Sequence, residues 1–254
     1  MGKSYIVGWT SVSPTPAQLK EFFSQIERKR ITKERLQTFL RGDDLSSGYE
    51  LARKILGKDF ISPEEIVEAR KITYGDEALA HFAETFPLEE VLWWLRDNGF
   101  ALVAGTPSSM SLLEIRNLNA QLFFSKEGGW YAEDKQEFSR NDKVNAEWLM
   151  FRKTIVPNST SKMWGEQQGL LSKVECVPNT PELAWGITTY KIVRHIYLLP
   201  DVYARTSSLD SVGDHVWMGI FDSDGLYVYD DWDDRRRGGN LGLSSARKSE
   251  NLNS

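Results

Sequence analysis

Apolar residues recur at helical spacing through the first third of the chain, and each run carries its own start and stop signals. In "SPTPAQLKEFFSQIERK", Thr15 stands as N-cap, Pro16 takes the first helical position and Gln18 follows three residues after the cap. Leu19, Phe22, Phe23 and Ile26 then share one face. "ITKERLQTFLRG" repeats the logic with Thr32, the apolar trio Leu36, Phe39 and Leu40, and Gly42 as a stop. "GYELARKILGKD" sets Leu51, Ile55 and Leu56 before Gly57, and "ISPEEIVEARKI" offers Ser62, Pro63 and Glu65 as a capping box ahead of Ile66, Val67 and Ala69. In "LEEVLWWLRDNGF", Val91, Leu92, Trp93 and Leu95 suit a buried helix that Asn98-Gly99 ends.

Beyond Gly99 the texture changes to short apolar runs separated by turn residues. "FALVAG" starts as a strand, while "AQLFFS", "GGWYAE" and "EWLMFRKTIV" are of strand length or ambiguous between strand and helix. "TSKMWGEQQGLL" and "TPELAWGITTYKIVRHI" read as helices, the second with Thr180 as cap, Pro181 at the first helical position and Leu183, Ile187 and Tyr190 following. The expected fold is α+β: an N-terminal helical region over 1–97, then a mixed domain over 98–254.

The last fifth alternates with period two. Val216, Met218 and Ile220, then Leu226 and Val228, flank "DSDG", which predicts a hairpin with Gly225 at positive φ. The aliphatic side chains are expected to face a core, and the interleaved His215, Trp217, Tyr227 and Tyr229 to face the other way. "DSDG" also has the look of a calcium loop, but it is too short and lacks the further oxygen ligand and the closing Glu.

Composition narrows the function classes. Across 254 residues, 41% hydrophobic and 12% aromatic content suits a globular chain with a substantial core. A net charge of −5 argues against wholesale attraction to nucleic acid or a membrane surface. Cys176 is the sole cysteine, which excludes an internal disulfide and a Cys-rich zinc site. The histidines His81, His195 and His215 have no ligand spacing, and no phosphate-loop, dinucleotide or nucleophile-elbow motif occurs. The opening residues "MGKSYIVGWTSVSPTP" lack an apolar stretch of secretory length, so a cytoplasmic protein is expected, without cofactor.

One compositional feature points further. The stretch from Arg205 to Lys248 holds eight aspartates with clustered Arg, Tyr, Gly and Ser, yet there is no Glu between Glu182 and Glu250 and no Lys between Lys191 and Lys248. An asparagine codon altered only at its adenines yields Asn, Asp, Tyr, Ser, Gly, Arg or His, among others. It never yields Lys, Glu, Gln, Trp or Met, because its third base stays a pyrimidine. Trp217 and Met218 stand outside that palette. Tyr supplies large contact area at low entropy cost, Ser, Gly and Asn adapt, and Arg anchors, as in antibody loops.

On "RTSSLDSVGDHVWMGIFDSDGLYVYDDWDD…LGLSSARK" and "ECVPNTPELAWGITTYK", the chain resembles the variable (target) proteins of bacterial diversity-generating retroelements. The resemblance implies a C-type lectin-like fold, related to the formylglycine-generating enzymes, over 98–254. It also implies a variable segment at about 205–248 on the ligand-binding face. The residues expected on that face are Asp210, Ser211, Asp214, His215, Trp217, Ser223, Tyr227, Tyr229, Asp230, Asp231, Asp234, Arg236, Arg237 and Asn240. The expected function is non-enzymatic binding of a protein or other macromolecular ligand, with no nucleic acid and no membrane as partner.

Two departures bear on alternatives. Formylglycine-generating enzymes hold copper with a cysteine pair, and this chain has Cys176 alone. Sugar-binding lectins of this fold hold calcium through a Glu-Pro-Asn-like loop and a Trp-Asn-Asp strand, of which only "VPN" at Val177 to Asn179 and "WDD" at Trp232 to Asp234 are found. The alternative readings are a metal- or calcium-dependent enzyme or lectin using Asp230, Asp231, Asp233 and Asp234, or an adaptor acting through the N-terminal helices.

Overall fold

Capping and burial explain where the elements begin and end in the computed structural model, which describes Lys20, Phe23, Ser24, residues 45–126 and 128–229, Arg235 and residues 237–247. The chain divides into two compact units, Met1–Asp43 and Asp44–Ser254. Lys20, Phe23 and Ser24 are helical, and the rest of the two helices expected after Thr15 and Thr32 lies outside the described residues.

In the second unit, α1 (Leu45–Leu56) turns Tyr49, Ala52, Ile55 and Leu56 inward, and Gly57 follows at φ 58°. Strand β1 (Phe60–Ile61) leads into α2 (Pro63–Arg70), which starts at the expected box: Ser62 N donates to Glu65 Oε2 at 3.0 Å and Glu65 N to Ser62 Oγ at 3.5 Å. Then come α3 (Asp76–Glu84), α4 (Glu89–Asp97) and β2 (Phe100–Ala104). In α4, Leu92 and Leu95 are buried, but Trp93 is 39% exposed beneath the Arg96 guanidinium, so that indole is not the core residue its run suggests.

The change of texture at Gly99 marks a change of secondary structure inside one unit. Phe60 pairs with Leu102 and Ile61 with Val103 in parallel, and Tyr49, Phe60 and Phe82 share a core with Trp148. The compact units divide at Asp43–Asp44, not at residue 97, because the helices from 45 onward bury their apolar faces on the sheet.

After α5 (Leu112–Leu118) and the one-turn α6 (Phe138–Asn141), β3 (Trp148–Arg152) runs antiparallel to β2. The runs "AQLFFS" and "GGWYAE" are not strands. They form 3-10 turns at Ala120–Leu122 and Trp130–Ala132, with Phe123 making an isolated bridge to Leu226. The short α7 (Trp164–Gln168) and β4 (Glu175–Cys176) precede α8 (Thr180–Arg194). The cap of α8 is Asn179 rather than Thr180: Asn179 Oδ1 accepts from Glu182 N at 2.9 Å and Asn179 N donates to Glu182 Oε2 at 2.7 Å. Thr180 is engaged elsewhere, its amide donating to Ser208 Oγ and its hydroxyl paired with that of Thr206. Burial takes in almost every residue from Thr180 to Tyr190. Gly186 lets the helix approach the sheet, since a Cβ there would lie 2.7 Å from the Phe151 ring.

The remaining strands are β5 (Tyr203–Leu209), β6 (His215–Asp222), β7 (Gly225–Tyr229), β8 (Leu241–Leu243) and β9 (Ala246–Arg247). One sheet has the order β1-β2-β3-β9-β4 and the other β7-β6-β5-β8, with β5 and β8 parallel. Because β8 and β9 are separated only by Ser244 and Ser245, the chain steps directly from one sheet into the other. The step is held by Ser244 N to Arg205 O, Arg152 N to Ser245 O and Ser245 Oγ to Glu175 Oε1. The result is a mixed α+β architecture. Among the described residues, no helix is long and apolar enough to cross a membrane.

Candidate ligand-binding face

The pleat of β6 and β7 sorts their side chains as their alternation predicts, with one exception. Val216, Met218, Leu226 and Val228 join the main core, while Tyr227 is half-buried and Tyr229 is 40% exposed. The exception is Ile220. The register shifts between Gly219 and Asp222, Ile220 takes φ 44°, and Phe221 enters the core in its place. An extra residue at a bulge reverses the alternation beyond it. Gly219 makes the bend possible: its φ is 151°, and a Cβ would meet Val202 O at 2.0 Å.

On the outer face, Arg205, Trp217 and Tyr229 lie side by side in register across β5, β6 and β7, and Tyr203 and Tyr227 flank Gly219 in the next row. Trp217 does not reach solvent as expected. It is 4% exposed, with the Tyr203 ring 4.3 Å away edge-on and the Tyr229 ring stacked at 5.4 Å. Arg205 is fully buried in the same row and donates to Gln167 Oε1 at 2.9 Å, while Gln167 Nε2 donates to Ser159 O and Leu241 O. The outer face is therefore a second, shallow layer of aromatic packing with exposed edges.

Residues outside the variable segment complete this layer. Phe124, 47% exposed, stacks on Tyr227 at 4.0 Å, and Trp164 stacks on His215 at 3.6 Å. The edge of β7 is occupied by Phe124 and Trp130: Phe124 N donates to Leu226 O, and Trp130 Nε1 donates to Val228 O at 2.7 Å. An edge strand so covered is protected from pairing with another chain. The sequence signal for this role is the doublet Phe123-Phe124, one ring 1% exposed and the next open to solvent.

Two turns bound the ribbon. Asp210 is half-buried, and its Oδ1 accepts from Val212 N at 2.8 Å and Asp214 N at 2.9 Å, so this expected contact residue shapes the turn. Ser211 is exposed, and its amide donates to Gln136 Oε1. At the other end, Ser223 is exposed, Asp222 Oδ1 accepts from Asp224 N, and Gly225 has φ 112°, as the hairpin reading requires. By strand rise these turns are on the order of 20 Å apart. The expected residues thus form an elongated strip: Ser211, half-buried Asp214 and His215 at one end, Trp217 and Tyr229 in the middle, Tyr227 and Ser223 at the other.

Arg237 is exposed and pairs with Glu166 at 3.1 Å, and exposed Asn240 accepts from Tyr203 N through its carbonyl. Asp230, Asp231, Asp234 and Arg236 lie outside the described residues. Among the described residues no group of three or more His, Cys, Asp or Glu side chains has an arrangement that would hold a metal ion. Half-buried Cys176 donates weakly to Ala246 O at 3.6 Å.

The electrostatics of the strip are legible at its phenols. Burial, with the carboxylates of Asp224 and Asp222 and the Tyr229 phenol, raises the Tyr227 phenol above its usual value. Burial raises Tyr203 as well, with Tyr227 and Tyr229 adding to it. Set against protein-family models, curated proteins and solved structures, the chain matches none.

Proposed function

We propose that this is a non-enzymatic binding protein, built on a C-type lectin-like scaffold, whose surface between about 205 and 248 is rewritten by a retroelement to select a macromolecular partner. The observation that carries the reading is the separation of faces on β6 and β7. Val216, Met218, Leu226 and Val228 are core residues, while Tyr227 and Tyr229 stand on the opposite side, Tyr227 stacked on Phe124 and Tyr229 on Trp217. A surface that varies must be separable from the side chains that hold the fold, and a pleated ribbon packed on one side meets that need. Exposed Ser211, Ser223, Arg237 and Asn240 add adaptable and charged contacts at its borders. Asp210 and Trp217 are excepted, since one shapes a turn and the other is buried.

Thermal melts test the separation. Ser211→Ala, Ser223→Ala, Arg237→Ser and Asn240→Ser are each expected to shift Tm by no more than about 2 °C, as surface substitutions do, and Tyr227→Ser and Tyr229→Ser, which each lose a ring stack, by more but with cooperative unfolding kept. Leu226→Asp is expected to abolish cooperative unfolding. Display-face variants that lose cooperative unfolding as Leu226→Asp does reject the reading. The DNA beside the gene tests the diversification itself: a near-copy of the 3′ segment, differing only where the copy has adenine, is expected next to a reverse-transcriptase frame.

A further inference from the structure

We infer that the hairpin end of the strip, where the stacked Phe124 and Tyr227 rings adjoin the turn that carries Asp222 and Asp224, docks an arginine- or lysine-bearing segment of a protein partner. This deepens the binding reading and rests on it.

The aromatic surface there is both ordered and open. Phe124 is 47% exposed and held parallel to Tyr227 at 4.0 Å, and its backbone is tied to β7 by Phe124 N to Leu226 O. Tyr203 and Tyr227 stand on either side of Gly219, which puts no side chain between them. The faces of such rings carry negative potential and attract ammonium and guanidinium groups.

The charge beside the rings has the matching sign. Asp222 and Asp224 flank the turn and neither is in an ion pair among the described residues, although Asp222 Oδ1 accepts the Asp224 amide. The cations elsewhere on the strip are already engaged. Arg205 is buried against Gln167 and Arg237 is paired with Glu166. Carboxylates left unpaired beside open aromatic rings suit an incoming cation and repel an acidic one. An anionic partner would meet the two carboxylates of Asp222 and Asp224.

Calorimetric titration of the full chain tests the inference with three synthetic peptides, Gly-Arg-Gly-Arg-Gly and its Gln and Glu counterparts, blocked at both ends. The arginine peptide is expected to bind about tenfold more tightly than the glutamine peptide, with the glutamate peptide weakest. Phe124→Ala and Asp224→Asn are each expected to weaken the arginine peptide several-fold while keeping cooperative thermal unfolding, with only a small drop in Tm for the half-exposed Phe124 and none for Asp224, whose side chain is not used in the turn. Equal affinity for the arginine and glutamine peptides overturns the inference, as does indifference to both substitutions or absence of binding. A preference for the glutamate or glutamine peptide that Phe124→Ala removes would overturn the cationic assignment and leave the face standing as a ligand surface. Failure of the binding reading itself is read separately, from the melts of the display-face variants.

Discussion

Two aromatic clusters in this molecule use the same residue types to opposite ends. In the first, Tyr49, Phe60, Phe82 and Phe86 surround Trp148 with ring centroids 5.1–5.8 Å away, mostly edge to face, and Trp148 Nε1 donates to Phe82 O. In the second, Tyr203, Trp217 and Tyr229 line one face of a sheet, and Phe124 stacks on Tyr227 at its edge. In the inner cluster Tyr49, Phe60, Phe82 and Trp148 are buried and Phe86 is half-buried. The outer one has a sheet beneath it and exposed edges above, with Tyr229 40% and Phe124 47% exposed. Ring count and ring contact are alike in both, so neither distinguishes a core from a surface. What distinguishes them is which face of the pleat the residue occupies and what lies across from it.

Trp217 is where the comparison is most easily broken. It sits on the outer face but is as buried as Trp148, at 4% against 5% exposure. Truncating either indole to alanine is expected to cost about 3–5 kcal/mol in chemical denaturation. A loss for Trp217→Ala near the ~0.5 kcal/mol of an exposed position would place it with the display side chains instead. Gly225 gives a smaller and sharper test of the frame around the outer cluster. Its φ is 112° and a Cβ would lie 2.5 Å from the Phe123 carbonyl carbon, whereas Gly213 at φ 93° has open space around it. Alanine at either position carries backbone strain of about 1–3 kcal/mol, and Gly225→Ala is expected to lose more, because it also pushes the Phe123-Phe124 segment from β7. Equal losses would mean that this segment does not brace the ribbon.

The smallest expected effect lies in a capping box away from both clusters. At the start of α5, Glu114 accepts from the Ser111 amide and hydroxyl, each at 2.7 Å, and from Lys143 at 3.1 Å. Chiefly the backbone hydrogen bond, then the hydroxyl and Lys143, lower its carboxyl to about 2. A depressed folded value stabilises the fold above the unfolded carboxylate range near ~4.3, and this contribution is lost as pH falls from there through about 2. Glu114→Gln is expected to melt slightly below the parent at pH 7, with the gap closing by pH 2. A gap that persists at pH 2 would assign the loss to shape rather than charge. The box before α8 places the same motif in a different setting. There, burial, with Glu147 and Asp142 adding, outweighs the Asn179 backbone hydrogen bond and raises Glu182.

These contrasts also mark what was legible beforehand. The box at Ser62 and Glu65, the helix over Glu89–Asp97, the strand over Trp148–Arg152 and the hairpin at Gly225 follow from local pattern, because each depends on residues a few positions apart. The box at Ser111 and Glu114 is as plain in "SLLE", yet it opens a seven-residue helix too short for apolar period to announce. Asn179 and Thr180 are both good caps, and distant Thr206 and Ser208 decide between them. Of the site, Tyr227 and Tyr229 were readable from alternation. Phe124 and Trp164, which complete the same face, come from elsewhere in the chain and carry no periodic signal.

By itself, the sequence determined the alternation of β6 and β7, the turn between them, and a palette in the last fifth that omits Lys and Glu up to Lys248. These are properties of neighbours along the chain. Only tertiary structure decided that a bulge at Gly219 moves Phe221 into the core in place of Ile220, that Trp217 is covered by Tyr203 and Tyr229, and that residues 45–97 belong to the same compact unit as the sheets. The reason is physical: period fixes which way a side chain points, whereas burial depends on what the rest of the chain brings to meet it.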